Sequence, residues 1–371
     1  MKNELITQSK KSILNYIADL KLQTGDTLPS IRQLQSVLLL SKNSAMAALK
    51  ELCSDGILVK GDGARNGFII HELPESETPA HKEKKLTAKF ILPYNTWNYV
   101  GNQFLFHIEK EFSSRSGNLL LSNTENSPVI EHRLLQTLLA ADTPRPDILL
   151  LMASNSIQNM NLNLLHIIQN EIPIILIDRT VRDLDCCSVC LNNRMVGMDA
   201  ARKLWDRGHR VFAFVGGFSS ISPIQDRLTG YLSMLREKEC APDHTHVILD
   251  PDMDMGSYPR IRTQINELGE KILRLTPAPT AVVCGSDRLA TCLLNFFLSK
   301  GICVPEELAI IGCDGDTVFS EFTDKKLCSY RQPFAAMSQF IYQTAADLAE
   351  HPDRPFFHAE FPPEYIEGNT I

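Results

Sequence analysis

The sequence predicts an α/β protein with a small helical head and a large body of alternating strands and helices. Three observations carry this. Apolar residues recur at helical spacing through residues 1–54, and a glycine-rich stretch between two short apolar runs follows. From Ala88 onward, short apolar runs alternate mostly with amphipathic segments, the pattern of parallel sheets with helices on both faces. Between the two regions, residues 71–87 are polar and charged and carry Pro74 and Pro79, which is linker composition. The expected organisation is therefore a head over residues 1–72, a linker over 73–87 and a body over 88–371.

In the head, Leu5, Ile6, Ile13, Leu14, Ile17 and Leu20 form one apolar stripe, so residues 3–21 read as a first helix. Gly25 and Asp26 break it. Ser30 is a good N-cap, preceded by Pro29 and followed three residues later by Gln33, a capping box that starts a helix over about Ile31–Leu38. Ser41 caps a third helix reaching about Ser54, with Ala45, Ala48, Leu49 and Leu52 as its inward stripe. Asp55 and Gly56 end that helix. Ile57–Lys60 and Gly67–Ile70 then flank Gly61–Asn66 as a hairpin. Three helices and a wing result.

Gly25, Asp26, Leu28, Pro29, Ser30, Arg32 and Leu34 stand at the offsets of a G-D-x-L-P-S-x-R-x-L signature. On these residues the head resembles the winged helix-turn-helix of the GntR (gluconate-repressor) family, which implies binding to double-stranded operator DNA. A short helix with a polar first turn can enter the major groove, with its backbone N–H groups near phosphate. By that resemblance Ser41, Lys42, Asn43 and Ser44 form the reading edge, and Ser30 and Arg32 reach in from the preceding helix. Lys60 and Arg65 let the wing touch the minor groove or phosphates. Each could instead be a solvated surface residue. One departure counts. The family usually has threonine-valine-arginine before the Ala-Leu of its recognition helix, where this chain has Ala45-Met46-Ala47-Ala48-Leu49. Loss of that arginine implies a different operator and more reliance on the wing.

Composition bounds the partners. With 371 residues and 44% hydrophobic content the chain can bury several cores. Net charge is −7, which argues against indiscriminate coating of nucleic acid, but residues 1–73 hold nine Lys/Arg against seven Asp/Glu, net +2. An acidic body is thus kept clear of phosphates while a local patch can approach them. No apolar run approaches the roughly 18 residues of a membrane span, and the N-terminus lacks the apolar core of a signal peptide, so the chain is expected in the cytoplasm. Of ten cysteines, Cys186, Cys187 and Cys190 cluster most densely. They lack a second C-x-x-C or nearby histidine, and read as small apolar residues in a strand, with no metal and no disulfide. No G-x-S-x-G, H-E-x-x-H, P-loop or dinucleotide motif occurs. Val215-Gly216-Gly217-Phe218 lacks the lysine or third glycine that would cradle phosphate. Neither an enzyme nor a bound cofactor is expected.

In the body, Lys89–Pro93, Leu119–Ser122, Asp147–Met152, Ile174–Asp178, Val211–Gly216, Val247–Asp250, Ala281–Gly285 and Leu308–Gly312 are strand candidates. Several segments resemble the effector domain of the LacI/GalR (lactose and galactose repressor) family in that family's order. They are Ile172–Arg179, Gly208–Gly217, Arg227-Leu228-Thr229-Gly230-Tyr231, Pro279–Asp287, Val304–Asp314 and Tyr330-Arg331-Gln332-Pro333. The resemblance implies a periplasmic-binding-protein-like fold, two α/β lobes with a small molecule held between them, and open parallel sheets take ligands at their strands' carboxyl ends. There, Arg227 offers a fork of donors for paired hydroxyls, and Asp287 and Asp314 offer acceptors. Asp178 and Arg179 end another strand at the same rim. Tyr94, Trp97, Asn98 and Tyr99 follow the first strand, where an aromatic can stack on a sugar face. Alternatives stand beside these. Asp287 could cap the next helix, Asp178 and Arg179 could be an internal ion pair, and Trp97 could be core. Ser286 and Gly315 replace the family's usual asparagine and Asp/Asn, so the particular sugar does not carry over. The two resemblances together give the layout of arabinose-responsive repressors. They imply an allosteric, homodimeric transcription regulator, expected to be a repressor, controlled by a carbohydrate effector. The rivals are a sugar-binding module without a DNA role and an enzyme acting on a small carbohydrate.

Overall fold

Burial in the head follows the helical stripes. In this computed structural model the described chain omits residues 1–8, 11, 15, 18–21, 39–41, 62–66, 72–84, 95–97, 141–143, 218–219, 251–257 and 317–323. Within helices, the side chains of residues 32, 33, 36, 37, 42, 43, 258 and 259 also lie outside the description. The chain divides into two compact units, Met1–Lys84 and Lys85–Ile371.

In the first unit α1 is described at residues 9–10, 12–14 and 16–17, and buries Ile13 and Ile17. The rest of the expected 3–21 helix lies outside the described residues. Next come α2 (Ile31–Leu38) and α3 (Lys42–Ser54). Leu34 of α2 and Ala45, Ala48, Leu49 and Leu52 of α3 are fully buried, as the i, i+3, i+4, i+7 spacing requires. Strands β1 (Leu58–Lys60) and β2 (Phe68–Ile70) pair antiparallel, with Leu58 opposite Ile70. The segment before α2 runs along the other edge of β2. Gly25 N donates to the Ile70 carbonyl at 2.8 Å, Leu28 N to the Phe68 carbonyl at 2.8 Å, and Thr27 bridges Ile69. The run at 25–30 therefore has a structural task, because its pairing with β2 fixes where α2 starts.

The second unit has two lobes. The first is a six-stranded, wholly parallel sheet of β3 (Thr87–Leu92), β4 (Asn118–Asn123), β5 (Ile148–Leu151), β6 (Ile174–Ile177), β7 (Cys187–Leu191) and β13 (His358–Phe361). Its strand order is β4-β3-β5-β6-β7-β13. Thr87, expected in the linker, is the first residue of β3. Successive residues face opposite sides of the sheet. Phe90, Leu150, Ile175 and Val189 pack with Phe104 and Ile108 of α4 (Tyr99–Ser114) and Met337 and Ile341 of α11 (Phe334–Glu350). Their neighbours Ile91, Leu149, Leu151 and Leu176 pack on the other side with Leu135 of α5 (Pro128–Thr137) and Leu165 and Ile168 of α6 (Leu162–Gln169). Continuous apolar strands are the consequence of two covered faces.

The second lobe is a parallel sheet of β8 (Phe212–Gly217), β9 (Thr245–Asp250), β10 (Ala281–Cys284) and β11 (Ala309–Ile311), in the order β11-β10-β8-β9. Phe212, Phe214, Val283 and Ile311 meet α7 (Asn193–Asp206) and α8 (Ser222–Glu237). Ala213, Val215, Val282 and Ile310 meet α9 (Tyr258–Leu273) and α10 (Asp287–Ser299). Three passages join the lobes. The chain leaves β7 into α7, returns from β12 (Ser329–Arg331) into α11, and goes from β13 to β14 (Glu364–Ile366), which pairs antiparallel with β12.

The cysteines Cys187 and Cys190 are buried in β7, and Cys186 is buried beside it. Burial pushes the Cys186 thiol up to about 12, which keeps it protonated. Among the described residues no group of His, Cys, Asp or Glu is arranged to hold a metal ion, and no helix is long and apolar enough to cross a membrane.

Candidate functional site

The strand ends of the two lobes bring a polar cluster together, and one helix crossing sets its geometry. Helices α7 and α8 touch through Gly197 and Gly230. A Cβ on Gly197 would stand 1.8 Å from the Arg227 carbonyl oxygen, and one on Gly230 would stand 1.9 Å from the Arg194 carbonyl oxygen. Only glycine permits that approach. The crossing places Arg227, on the inner side of α8, against the start of α7. Its Nε donates to Asn193 Oδ1 at 2.8 Å, Nη1 donates to the Gly285 carbonyl, and Nη2 donates to Asp314 Oδ1 at 2.9 Å. Arg227 thereby ties together α7, the end of β10 and the end of β11.

The carboxylates around it are buried. Burial pushes Asp314 up to about 6 against the pull of Arg227. Asp287 is pushed up to about 8, first by burial and then by the neighbouring Asp314. Both oxygens of Asp287 accept from Ser329 Oγ, at 2.6 and 2.7 Å. Asp287 does not cap α10. Ser286 does, accepting from Leu289 N at 3.4 Å. Asp316 is raised by burial, with Arg288 opposing that shift. Gly315 sits at φ +80°, and a Cβ there would stand 3.0 Å from the Arg331 Cβ, so a bulkier residue at this position would be strained.

From the first lobe, Asp178 ends β6 at φ 64° and is buried. Its Oδ1 accepts from Gln332 Nε2 at 3.2 Å, across the crossover before α11, and Arg227 and Arg179 both pull against the burial that raises it. Tyr99, at the first turn of α4, is raised by burial and by Asp316, Asp287 and Asp314 of the other lobe. Tyr99 and Asp178 thus face carboxylates and Arg227 across the lobe boundary. Two backbone amides close the same boundary: Ser156 N donates to the Ser220 carbonyl at 2.9 Å and Thr180 N to Ser222 Oγ at 2.9 Å. A cavity of about 390 Å³ opens beside the crossovers, lined among others by Asp178, Ser188, Asn193, Asp226, His358 and Glu360.

The remaining expected residues divide. Arg179 lies 3.7 Å from Asp178 at its Nε, while its Nη1 donates to Asn126 Oδ1 at 3.1 Å and the Ala153 carbonyl at 2.8 Å. It braces the first lobe from within. Asn98 is spent on the fold, because its Oδ1 caps α4 by accepting from Gly101 N at 3.0 Å and its Nδ2 donates to the Pro93 carbonyl. Tyr94 packs half-buried against the first lobe's core. Trp97 lies outside the described residues. In the head, Lys60 is exposed on β1, Ser30 is exposed before α2, and Ser44 is half-buried in α3. Ser41 and Arg65 lie outside the described residues, as do the side chains of Arg32, Lys42 and Asn43. The pattern of strand ends did not single out Asn193, Ser329 or Asp316. Ser329 and Asn193 matter through partners far away in sequence, and no local motif marks them.

Chemically the cluster offers hydrogen-bond donors and acceptors. The buried thiols Cys190, Cys284 and Cys313 are all raised by desolvation, away from the thiolate form a nucleophile needs.

Comparison with known proteins agrees with this arrangement. Residues 201–371 match the model of the periplasmic binding protein-like domain. An arabinose metabolism transcriptional repressor of Geobacillus stearothermophilus is 25% identical over 337 residues, covering 89% of this chain and 87% of its own. The probable HTH-type transcriptional repressor ExuR of Bacillus subtilis is 27% identical over 210 residues, covering 56% of this chain, and the match spans only 60% of ExuR. Among solved structures, transcription regulator CcpA of Lactococcus lactis superposes with a TM-score of 0.66 at 22% identity, over 77% of this chain and 99% of that one. A complex of transcriptional regulator CelR with cellobiose gives a TM-score of 0.66 at 16% identity, over 92% of this chain and 100% of that one. The body of this chain accordingly has a two-lobed periplasmic-binding-protein-like α/β fold, and the curated relatives it resembles are named as transcription regulators.

Proposed function

We propose that the chain is a one-component repressor that grips a pseudo-palindromic operator as a homodimer and releases it when a sugar-like effector occupies the space between its lobes. The observation that carries this reading is the meeting of Tyr99 and Asp178 from one lobe with Arg227, Asp287 and Asp314 from the other. A ligand bonded to both sides favours one lobe arrangement over another, and its effect on DNA affinity is limited to that preference. The head supports the DNA half. Its three helices, paired strands β1 and β2 and the run Leu28-Pro29-Ser30-Ile31-Arg32 fit a GntR-type winged helix-turn-helix, with α3 as the reading helix. Relatives named as repressors for arabinose and ribose, and a solved LacI-family neighbour with bound ribose, support a carbohydrate as effector.

The test is fluorescence anisotropy of the full chain with its own upstream DNA, with and without candidate sugars. Saturable, salt-sensitive binding that a sugar weakens is the expected result. Binding of a sugar with no DNA binding at low salt would favour a sugar-binding module without a DNA role. Within this reading, Arg32→Ala weakens operator binding by about 1–3 kcal/mol if its contact is to a base. Unchanged affinity in a folded variant would remove Arg32 from the reading surface.

A further inference from the structure

We infer that the start of α8 is latched to the first lobe through Ser220 and Ser222, and that this latch governs how readily the two lobes part. The inference deepens the proposed reading, on which it rests in taking lobe movement as the signal. It names a control on that movement outside the polar cluster of Tyr99, Asp178, Arg227, Asp287 and Asp314.

On the first-lobe side two loops form one ledge. The loop after β5 is held at its root by Glu131, a fully buried side chain on α5. Its Oε2 accepts from Ser154 N at 2.6 Å and its Oε1 from Asn161 Nδ2 at 2.8 Å. Asn161 Nδ2 also donates to the Pro128 carbonyl at 3.1 Å, and Asn161 Oδ1 lies 2.8 Å from His132 Nδ1. Between these anchors, Asn155 Oδ1 accepts from Ile157 N at 3.0 Å and from Gln158 N at 3.2 Å. The loop after β6 is tied to the first one. Arg179 Nη1 donates to the Ala153 carbonyl at 2.8 Å and Arg182 N to the Ser156 carbonyl at 2.8 Å. A network satisfied at so many points keeps its remaining amides aimed in fixed directions.

Two of those amides face the second lobe. Ser156 N donates to the Ser220 carbonyl at 2.9 Å, and Thr180 N to Ser222 Oγ at 2.9 Å. A serine at a helix start ordinarily turns its hydroxyl on that helix's own unpaired N–H groups. Here Ile221 is the N-cap of α8 and no side chain caps it, while Ser222, the first helical residue, accepts from the other lobe. The hydroxyl serves the contact between lobes, not the helix that carries it. Arg227 lies under two turns further along the same helix. Parting the lobes at the ledge breaks both bonds, and the helix released is the one that delivers Arg227 to the site.

Magnitude decides what such a latch can do. Water competes for both partners once they separate, so losing one bond shifts an opening equilibrium by about twofold to tenfold. That is too little to unfold a lobe. It is enough to change how often the parted arrangement is visited, which is the quantity a ligand must also work on.

The test is hydrogen–deuterium exchange of the full chain with neither DNA nor sugar added, resolved by fragmentation to single amides, for the parent, Ser222→Ala and Ser222→Thr. The diagnostic amide is that of Ser156, which is bonded to Ser220 and not to Ser222. In Ser222→Ala it is expected to exchange about twofold to tenfold faster, because the two bonds open as a unit. Ser222→Thr, which keeps the hydroxyl, stays near the parent. The Arg182 amide, bonded within the ledge, and the amides of β10, within the second lobe's sheet, stay unchanged. Acceleration at Thr180 alone, or at no amide, would mean that Ser222 holds at most one group and that there is no latch. Acceleration at Arg182 and β10 as well would mean that the bond holds the fold and not the lobes. Ser222→Thr exchanging as fast as Ser222→Ala would exclude the hydroxyl. Each of these results overturns the inference and leaves the proposed repressor standing, whereas a chain that fails to bind operator or sugar leaves the latch standing.

Discussion

Arg227 shows how one side chain can be both expected and misjudged. Its place in the Arg227–Tyr231 run marks it as a ligand contact, a free fork of donors. The structure commits Nε, Nη1 and Nη2 to Asn193, Gly285 and Asp314, which uses three of its five N–H groups among the described residues. Its first task is to hold strand ends in place. Arg227→Ala is therefore expected to lower unfolding stability by about 3–5 kcal/mol, because it strands the buried Asp314 without its partner, and urea unfolding measures this. Normal stability with loss of the sugar response alone would mean that Arg227 acts only on ligand. Asp287 makes a second residue-scale prediction. Its folded value of about 8 lies above the ordinary carboxyl value of 3.8, so between those limits the folded state holds a proton that the unfolded chain has released. Stability consequently falls as pH rises from about 4 to about 8. In Asp287→Asn that part of the slope should disappear, and thermal midpoints taken across the range will show it. A variant slope identical to the parent's would exclude Asp287 as its source.

At the scale of elements, the α7–α8 crossing matters most. Gly230 was legible in the sequence only as part of a motif. The structure supplies the reason, since its missing Cβ is what lets α8 lie on the backbone of α7 and deliver Arg227 to Asn193. The blocking atom is a backbone carbonyl, which cannot rotate aside. Gly230→Ala should cost about 1–3 kcal/mol or more by overpacking, seen as a lower urea midpoint at unchanged m-value. Helix α10 illustrates the opposite case. Ser286, which looked like a weakened ligand contact, is its N-cap, so Ser286→Ala should cost about 0.5–2 kcal/mol through the helix end. In the head, the capping-box pattern places α2 at Ile31–Leu38, as expected from Ser30 and Gln33. The short pairing of residues 25–28 with β2 was not foreseen, because an isolated bridge leaves no periodic trace.

At the scale of the whole molecule, three passages join the lobes, and the groups of the candidate site sit on both sides of them. A ligand that bonds both lobes stabilises the folded chain by mass action, about 2.7 kcal/mol at a free concentration 100 times its Kd. A thermal-shift series with increasing sugar should rise logarithmically and then track loss of operator binding. A sugar that raises the midpoint without changing DNA affinity would separate binding from regulation. Such a result would place the coupling outside the lobe boundary.

Eight strand candidates were legible from apolar runs, and each corresponds to a strand whose ends shift by at most two residues; in the central strands two covered sheet faces demand continuous apolar chain. The positions of Asp178, Asp287 and Asp314 just past strand ends were legible as well, whereas Arg227, expected at the same rim, is carried by α8. Strands β12, β13 and β14 were not, since each is three or four residues long and half-exposed in part, so neither alternation nor an apolar run identifies it. The sequence by itself determined which segments are helix or strand and which chemical groups stand at their ends, because those follow from neighbours along the chain. Only the tertiary structure decided which of those groups are already bonded. Arg227 and Asp314 are 87 residues apart and Asp178 and Gln332 are 154 apart, and hydrogen bonds over such separations depend on how the sheets and crossovers fold together, which local pattern does not encode.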